Sequence, residues 1–159
     1  MVEMQVYGLA VESDTETPVL VLKSEELGMV LPIWIGAMEA MAISLVLNEV
    51  SFPRPMTHDL LLSTIATFGG EVASVDIVDI NKGTFYAEII VRKDGELIAI
   101  DSRPSDAIAL AVRAECPVRV AQKVIDTAGT KDIEEKVVKK SGWDDELEEL
   151  SPEDFKYKM

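Results

Sequence analysis

The sequence predicts an α+β fold in which duplicated strand-strand-strand-helix units form a mixed, largely antiparallel sheet packed against helices. Three observations predict it. Apolar residues alternate with period two through six segments, the mark of half-buried strands. They recur at three- and four-residue intervals through three others, the mark of amphipathic helices. The order strand, strand, strand, helix then repeats. One constant offset places Ile33 on Ile100, Glu39 on Asp106, Ala40 on Ala107, Ala42 on Ala109 and Thr17 on Thr84.

Taken in order, "EMQVYGLAVE" alternates with Met4, Val6, Gly8 and Ala10 on one side, and "PVLVLKS" follows the polar turn "SDTET" as the second strand of a hairpin. "MVLPIWI" is a third strand, and Pro32, which cannot donate to a ladder, puts it at an edge or a bulge. "AMEAMAISLVLNEV" then takes helical spacing. "SFPRP" interrupts, and Thr57 is the expected N-cap of "HDLLLSTIATF", which stops at Gly69-Gly70. The second unit follows the same plan. "EVASVDIVDI", "TFYAEIIVR" and "ELIAIDS" are strands joined by the turns "NKG" and "KDG". "RPSDAIALAVRAE" is a helix opened by a proline and ended before Pro117.

At 159 residues with 48% apolar and only 6% aromatic content, the chain is long enough to close one aliphatic core. Residues 1–130 are the expected domain. Residues 131–159, "KDIEEKVVKKSGWDDELEELSPEDFKYKM", form a charged, acidic tail expected to be disordered or partly helical, since they offer few apolar anchors. The acidic, strand-like start lacks the features of a secretory signal, and no apolar run approaches the roughly 20 residues a membrane-spanning helix needs. A cytoplasmic location with no membrane partner is therefore expected. A single Cys116 cannot form an internal disulfide and reads as a small buried apolar residue. Aliphatic strands and helices with few aromatics leave apolar faces that a chain of this size does not cover alone, so a homodimer is expected.

The formal net charge of −14 disfavours tight nonspecific binding to a phosphate backbone. It does not exclude a nuclease, because carboxylates that hold divalent metals add negative charge while the metals carry the positive field.

The chain has one histidine, His58, in "RPMTHDLL", and a second Arg-Pro pair in "DSRPSDAIAL" repeats the layout of arginine, proline, hydroxyl residue and aspartate ahead of an apolar helix. Asp59 and Asp106 fall in first helical turns, where free N–H groups favour an acid without any further function. Asp101 stands where a strand ends, a usual place for a functional carboxylate. Arg54 and Arg103 each precede a proline, which restricts the guanidinium's direction and suits a phosphate or an internal carboxylate such as Glu39 or Asp59. Glu39 sits near the start of an otherwise apolar helix and must be paired if buried. No HExxH, G-x-S-x-G or phosphate-cradling glycine loop is present, so the reactive set is the carboxylates, whose natural chemistry is divalent-metal binding. Imidazole is the one side chain that ordinarily exchanges a proton near neutral pH, which makes His58 the candidate acid or base.

"LPIWIGAMEAMAI", "RPMTHDLL" and "DSRPSDAIALAVRAECPV", in that order, resemble the bifunctional nuclease family, a bacterial and plant domain with both DNase and RNase activity. The resemblance covers roughly residues 1 to 125. It implies metal-dependent hydrolysis of phosphodiester bonds, with DNA or RNA as substrate. On that reading Asp101, Asp106 and Glu39 or Asp59 hold Mg²⁺ or Mn²⁺, Arg103 or Arg54 steadies the phosphate, and His58 is a general acid or orients water. The competing expectation is a non-catalytic binding or assembly module whose charged motifs form internal ion pairs and subunit contacts.

Overall fold

The computed structural model describes residues 1–131. The expectations for the acidic tail fall on residues 132–159 and lie outside the described residues. Seven strands and four helices make up the described part: β1 (Val2–Val11), β2 (Pro18–Ser24), β3 (Met29–Trp34), α1 (Ala37–Leu47), α2 (Thr57–Thr67), β4 (Glu71–Asn81), β5 (Thr84–Lys93), β6 (Glu96–Ser102), α3 (Pro104–Ala114), β7 (Val118–Val120) and α4 (Gln122–Ala128). The architecture is α+β, with a mixed, mostly antiparallel sheet.

The strands lie in the order β3-β2-β1-β7-β4-β5-β6. Each predicted unit is a meander followed by a helix, β1-β2-β3-α1 and β4-β5-β6-α3, and the two meanders flank β7 with their third strands outermost. β7 runs antiparallel to β1 and parallel to β4, so the two meanders run in opposite senses, as an internal two-fold requires. β3 is an edge strand, as Pro32 requires.

β7 and α4 were not expected from the sequence. β7 has three residues, too few to show a period, and it is a strand because β1 and β4 both offer it backbone partners. Arg119 at its centre lies in register with Glu3 on one side and Asp76 on the other. Its guanidinium forks onto Asp76 (2.8 and 2.6 Å) and onto the Ser74 hydroxyl (2.8 Å). The buried Asp76 and Ser74 are thereby satisfied at the join between the two units.

Two further expectations need correction. Met4, Val6, Gly8 and Ala10 do not share a face throughout, because the β1–β2 register shifts between Val6 and Gly8. A bulge adds one residue and reverses the alternation. Met4, Val6 and Leu9 therefore pack on the main core, whereas Ala10 packs with Val19, Val21 and Val30 on the other side of the sheet. Gly8 carries φ of +151°, which its lack of a Cβ permits. The cap of α2 is Met56 rather than Thr57, which is the first helical residue. The Met56 N–H donates to the Asp59 carboxylate at 2.9 Å, so an acid in the first turn does the work expected of a hydroxyl at the cap.

The main core lies between one face of the sheet and the helices. It includes Leu20, Leu31, Ile33, Ile43, Val75, Ile77, Ile89, Ile108, Leu110 and Val120. α3 is its centre, packing against α1, α2, β4 and β5. That position brings the starts of three helices together. Glu39, Asp59 and Asp106 each occupy the third residue of α1, α2 and α3.

Candidate functional site

Free N–H groups at a helix start attract a carboxylate, and a residue preceding proline is held extended. Arg103, the extended N-cap of α3, is therefore aimed between two first-turn acids. Its Nε donates to Asp106 Oδ2 at 2.7 Å and an Nη donates to Glu39 Oε1 at 3.0 Å. The duplication thus converges chemically, since Glu39 and Asp106, equivalent in the two units, hold one guanidinium. At Gly36 the absence of a side chain lets the Glu39 carboxylate fold back over the start of α1, where a Cβ would collide with it.

From the other side, His58 Nε2 lies 3.0 Å from Asp106 Oδ1. Asp106 so spends both oxygens, one on His58 and one on Arg103. A carboxylate only accepts, so the shared proton belongs to Nε2, and the neutral ring then presents Nδ1 as an acceptor. The starts of α2 and α3 therefore meet as expected, through His58 and Asp106, although Arg54 of the first Arg-Pro pair does not take part. It is Arg103 that pairs with Glu39; Asp59 instead pairs with Arg113, whose Nε donates to it at 2.7 Å while another N–H donates to the Ala109 carbonyl at 2.7 Å. Asp59 is a structural tie between α2 and α3. Arg113 was not singled out from the sequence; its one signal is a charge in the apolar run "AIALAVRA" that cannot be buried alone.

Burial works against ionising Asp106, but hydrogen bonds from Arg103 and His58 outweigh it and hold the carboxyl below the usual range. Asp59 is likewise lowered, burial being outweighed by the Met56 N–H and by Arg113. Arg103 is pushed up, first by Asp106 and then by Glu39. Depressed carboxylates contribute stability that is complete above their unfolded value of about 3.9 and is lost as pH falls through the lower folded value. The melting temperature of Asp59→Asn should accordingly lie below that of the natural chain at pH 7. The gap should narrow as pH falls below about 4 in a series of thermal melts.

Arg103 has two N–H groups, on Nη2, that meet no partner among the described residues, and its side chain is 63% exposed. Clefts open on both of its flanks. One, of about 680 Å³, is lined by His58, Tyr86, Ile100, Asp101, Ser102 and Asp106 among others. The second, of about 380 Å³, has Trp34, Gly36 and Glu39 in its wall. Half-exposed Trp34 and Tyr86 thus flank the guanidinium, aromatic faces that the sequence reading passed over as strand residues.

The other predicted site residues stand apart. Asp101 lines the larger cleft but is in register with Glu88 in the β5–β6 ladder, and no hydrogen bond or ion pair joins it to the rim among the described residues. Arg54 is exposed in the segment between α1 and α2, without an ion pair among the described residues and outside the cleft. The set Glu39, Asp101 and Asp106 does not fit a divalent metal in this arrangement. Among the described residues no three His, Cys, Asp or Glu side chains are placed to share a metal ion. Glu39 and Asp106 are drawn to a guanidinium instead. Among the same residues no helix is long and apolar enough to cross a membrane.

Comparison with known proteins bears directly on this rim. The profile of the bifunctional nuclease domain matches residues 20–132, which include Glu39, His58, Asp101, Arg103 and Asp106. The chain belongs to the bifunctional nuclease family. Within the family, Bifunctional nuclease 1 of Arabidopsis thaliana is 30% identical over 121 residues, 74% of this chain and 37% of the plant protein. Bifunctional nuclease 2 of Oryza sativa subsp. japonica is 29% identical over 131 residues, 80% of this chain and 40% of the plant protein. More than half of each plant protein thus lies outside the match. An uncharacterized protein of Mycobacterium tuberculosis is similar over nearly its whole length, 39% identical over 167 residues that cover 98% of this chain and 99% of the relative.

Proposed function

We propose that this chain hydrolyses phosphodiester bonds of DNA and RNA at the rim formed by His58, Asp106, Arg103 and Glu39. One observation carries the reading. An imidazole and a guanidinium meet on a single carboxylate, Asp106, at the mouth of an open cleft, and each keeps an edge that is unpaired among the described residues. The Nη2 donors of Arg103 suit the non-bridging oxygens of a phosphodiester, where charge accumulates as water adds to phosphorus. His58 Nδ1 takes the proton from that water, and the same ring returns it to the departing oxygen. Asp106 fixes the ring and its tautomer, as a carboxylate behind a catalytic histidine does. Glu39 positions Arg103 through its second hydrogen bond. Trp34 and Tyr86 are suited to stack on unpaired bases, which favours single strands over duplex.

No step here runs through a metal, because Glu39 and Asp106, two of the carboxylates expected to hold Mg²⁺ or Mn²⁺, are committed to Arg103 and His58. The net charge of −14 opposes a polyanion, so binding should be weak and turnover slow at low salt without divalent cations to screen the field.

The test is cleavage of end-labelled single- and double-stranded DNA and RNA by the purified full chain, with EDTA and then with added Mg²⁺ or Mn²⁺. The expected result is internal cleavage of single strands of both kinds. Complete inactivity in every cation, with oligonucleotide binding retained or absent, would favour the assembly-module reading. The ion pairs that tie α1, α2 and α3 together are what speaks for that alternative.

A further inference from the structure

The duplication supplies an internal reference for a covered sheet edge. At the offset that relates the two units, Leu31 and Ile33 of β3 correspond to Ile98 and Ile100 of β6. Leu31 and Ile33 are 0% and 2% exposed, because α4 packs against β3 and buries Val124 and Ile125 in the same cluster. Ile98 and Ile100 are 44% and 43% exposed. Their register with Val91 and Ile89, both core residues, puts them on the helix-covered face of the sheet. They are open because the helix layer ends short of them: α2, which the same offset places on α4, lies across the cleft from β6 and does not cover it as α4 covers β3. Leu97, on the opposite face of β6, is exposed as well. Across the cleft α2 buries no residue fully and exposes Leu60, Leu61 and, just past its end, Phe68. Natural monomers avoid such an apolar edge strand beside an apolar helix.

We propose that a second copy of this chain covers this edge. The two β6 strands pair antiparallel about a two-fold axis at Ala99, and the α2 helices close over the seam. The backbone supports this register. Lys93 and Glu96 oppose one another across the two-residue turn Asp94-Gly95, whose φ values of 52° and 84° suit a tight hairpin. The peptide groups of Glu96, Ile98 and Ile100 are then spent on β5, and those of Leu97, Ala99 and Asp101 face outward. Full overlap of Glu96–Ser102 with itself centres on Ala99, one of the outward-facing residues. It sets Ile98 beside the partner subunit's Ile100 and Glu96 opposite the partner subunit's Ser102. No like charges meet. A slip of one residue would oppose Glu96 to the partner subunit's Asp101 and turn spent peptide groups to the seam.

The chain's own C-terminal segment is a poorer occupant. It leaves from the opposite edge of the sheet, where Thr130 bridges Val30 of β3, and its run "DDELEEL" would meet Glu96 and Asp101. A second copy brings the matching apolar strand instead. Because Ile100, Asp101 and Ser102 also wall the cleft beside His58, the partner closes the side of that cleft which a single copy leaves open. The pairing does not depend on the nuclease reading, and the two are measured separately.

Light scattering and sedimentation of the full chain at about 10 µM test it, a concentration at which an interface of ordinary size persists. The natural protein should show twice the 17.5 kDa chain mass. Ile98→Lys and Ala99→Pro should each return the mass to 17.5 kDa with the circular dichroism spectrum kept. The outward-facing N–H of Ala99 makes proline compatible with the β5 ladder. Should that variant misfold, Ile98→Lys decides alone, since it alters a side chain already open in one copy. Amide exchange at Leu97 and Ala99 should be slow in the natural protein and at least ten-fold faster in Ile98→Lys. A monomeric natural protein, or a dimer whose mass Ile98→Lys leaves unchanged, overturns the proposal.

Discussion

Replacing His58 by alanine should slow nucleic-acid cleavage by about 10²–10⁴-fold, the range expected when a general acid or base is removed. The same change should leave the melting temperature almost where it was. His58 sits at the start of α2, a helix without a fully buried residue, and its ring is partly open to the cleft. Removing it deletes the hydrogen bond to Asp106 Oδ1, an oxygen that water can then reach because the side chain is 30% exposed, while Oδ2 keeps Arg103. A large fall in stability with full activity would assign the histidine to the scaffold. The measurement pairs initial cleavage rates with thermal melts on the same preparations.

The opposite dissociation is expected from Ile108→Ala. Ile108 is fully buried on α3, the helix that touches both neighbouring helices and two strands of the second unit. Deleting its three outer carbons removes apolar contact and leaves a cavity that the surrounding rigid elements fill only in part, a loss of about 2–5 kcal/mol. For a chain of this size that corresponds to a fall of about 5–20 °C in Tm. Because Ile108 does not line the rim, the rate measured well below the melting transition should stay within a few-fold of the natural protein's. Calorimetry and a low-temperature cleavage assay check both halves.

The contrast between these residues explains how much the sequence could tell. Alternation and helical spacing were enough for six strands, three helices and the pairing of the two units, because those elements are set by local pattern. β7 escaped because it owes its form to neighbours far away in sequence. The reversal of faces along β1 escaped because a bulge leaves no residue signature beyond Gly8. At the site, the convergence of His58, Arg103, Asp106 and Glu39 followed from two repeated Arg-Pro motifs at helix starts. The third carboxylate did not follow. Asp101 is the last residue but one of β6, and the ladder sets it beside Glu88 instead of Asp106. The pairing of Asp59 with Arg113 was not legible either, because Arg113 reaches it from ten residues into α3's own stretch of sequence, a contact that only the packing of α2 on α3 creates.

In the proposed reaction His58 and Asp106 act on the phosphodiester as one unit. A double-mutant cycle in kcat/KM for single-stranded substrate, built from His58→Ala, Asp106→Ala and both together, measures this most directly. If the carboxylate serves by holding the imidazole, each single variant loses most of the activity and the double variant is about as slow as the worse single one. Losses that multiply independently, or an Asp106→Ala variant as active as the natural chain, would contradict the account.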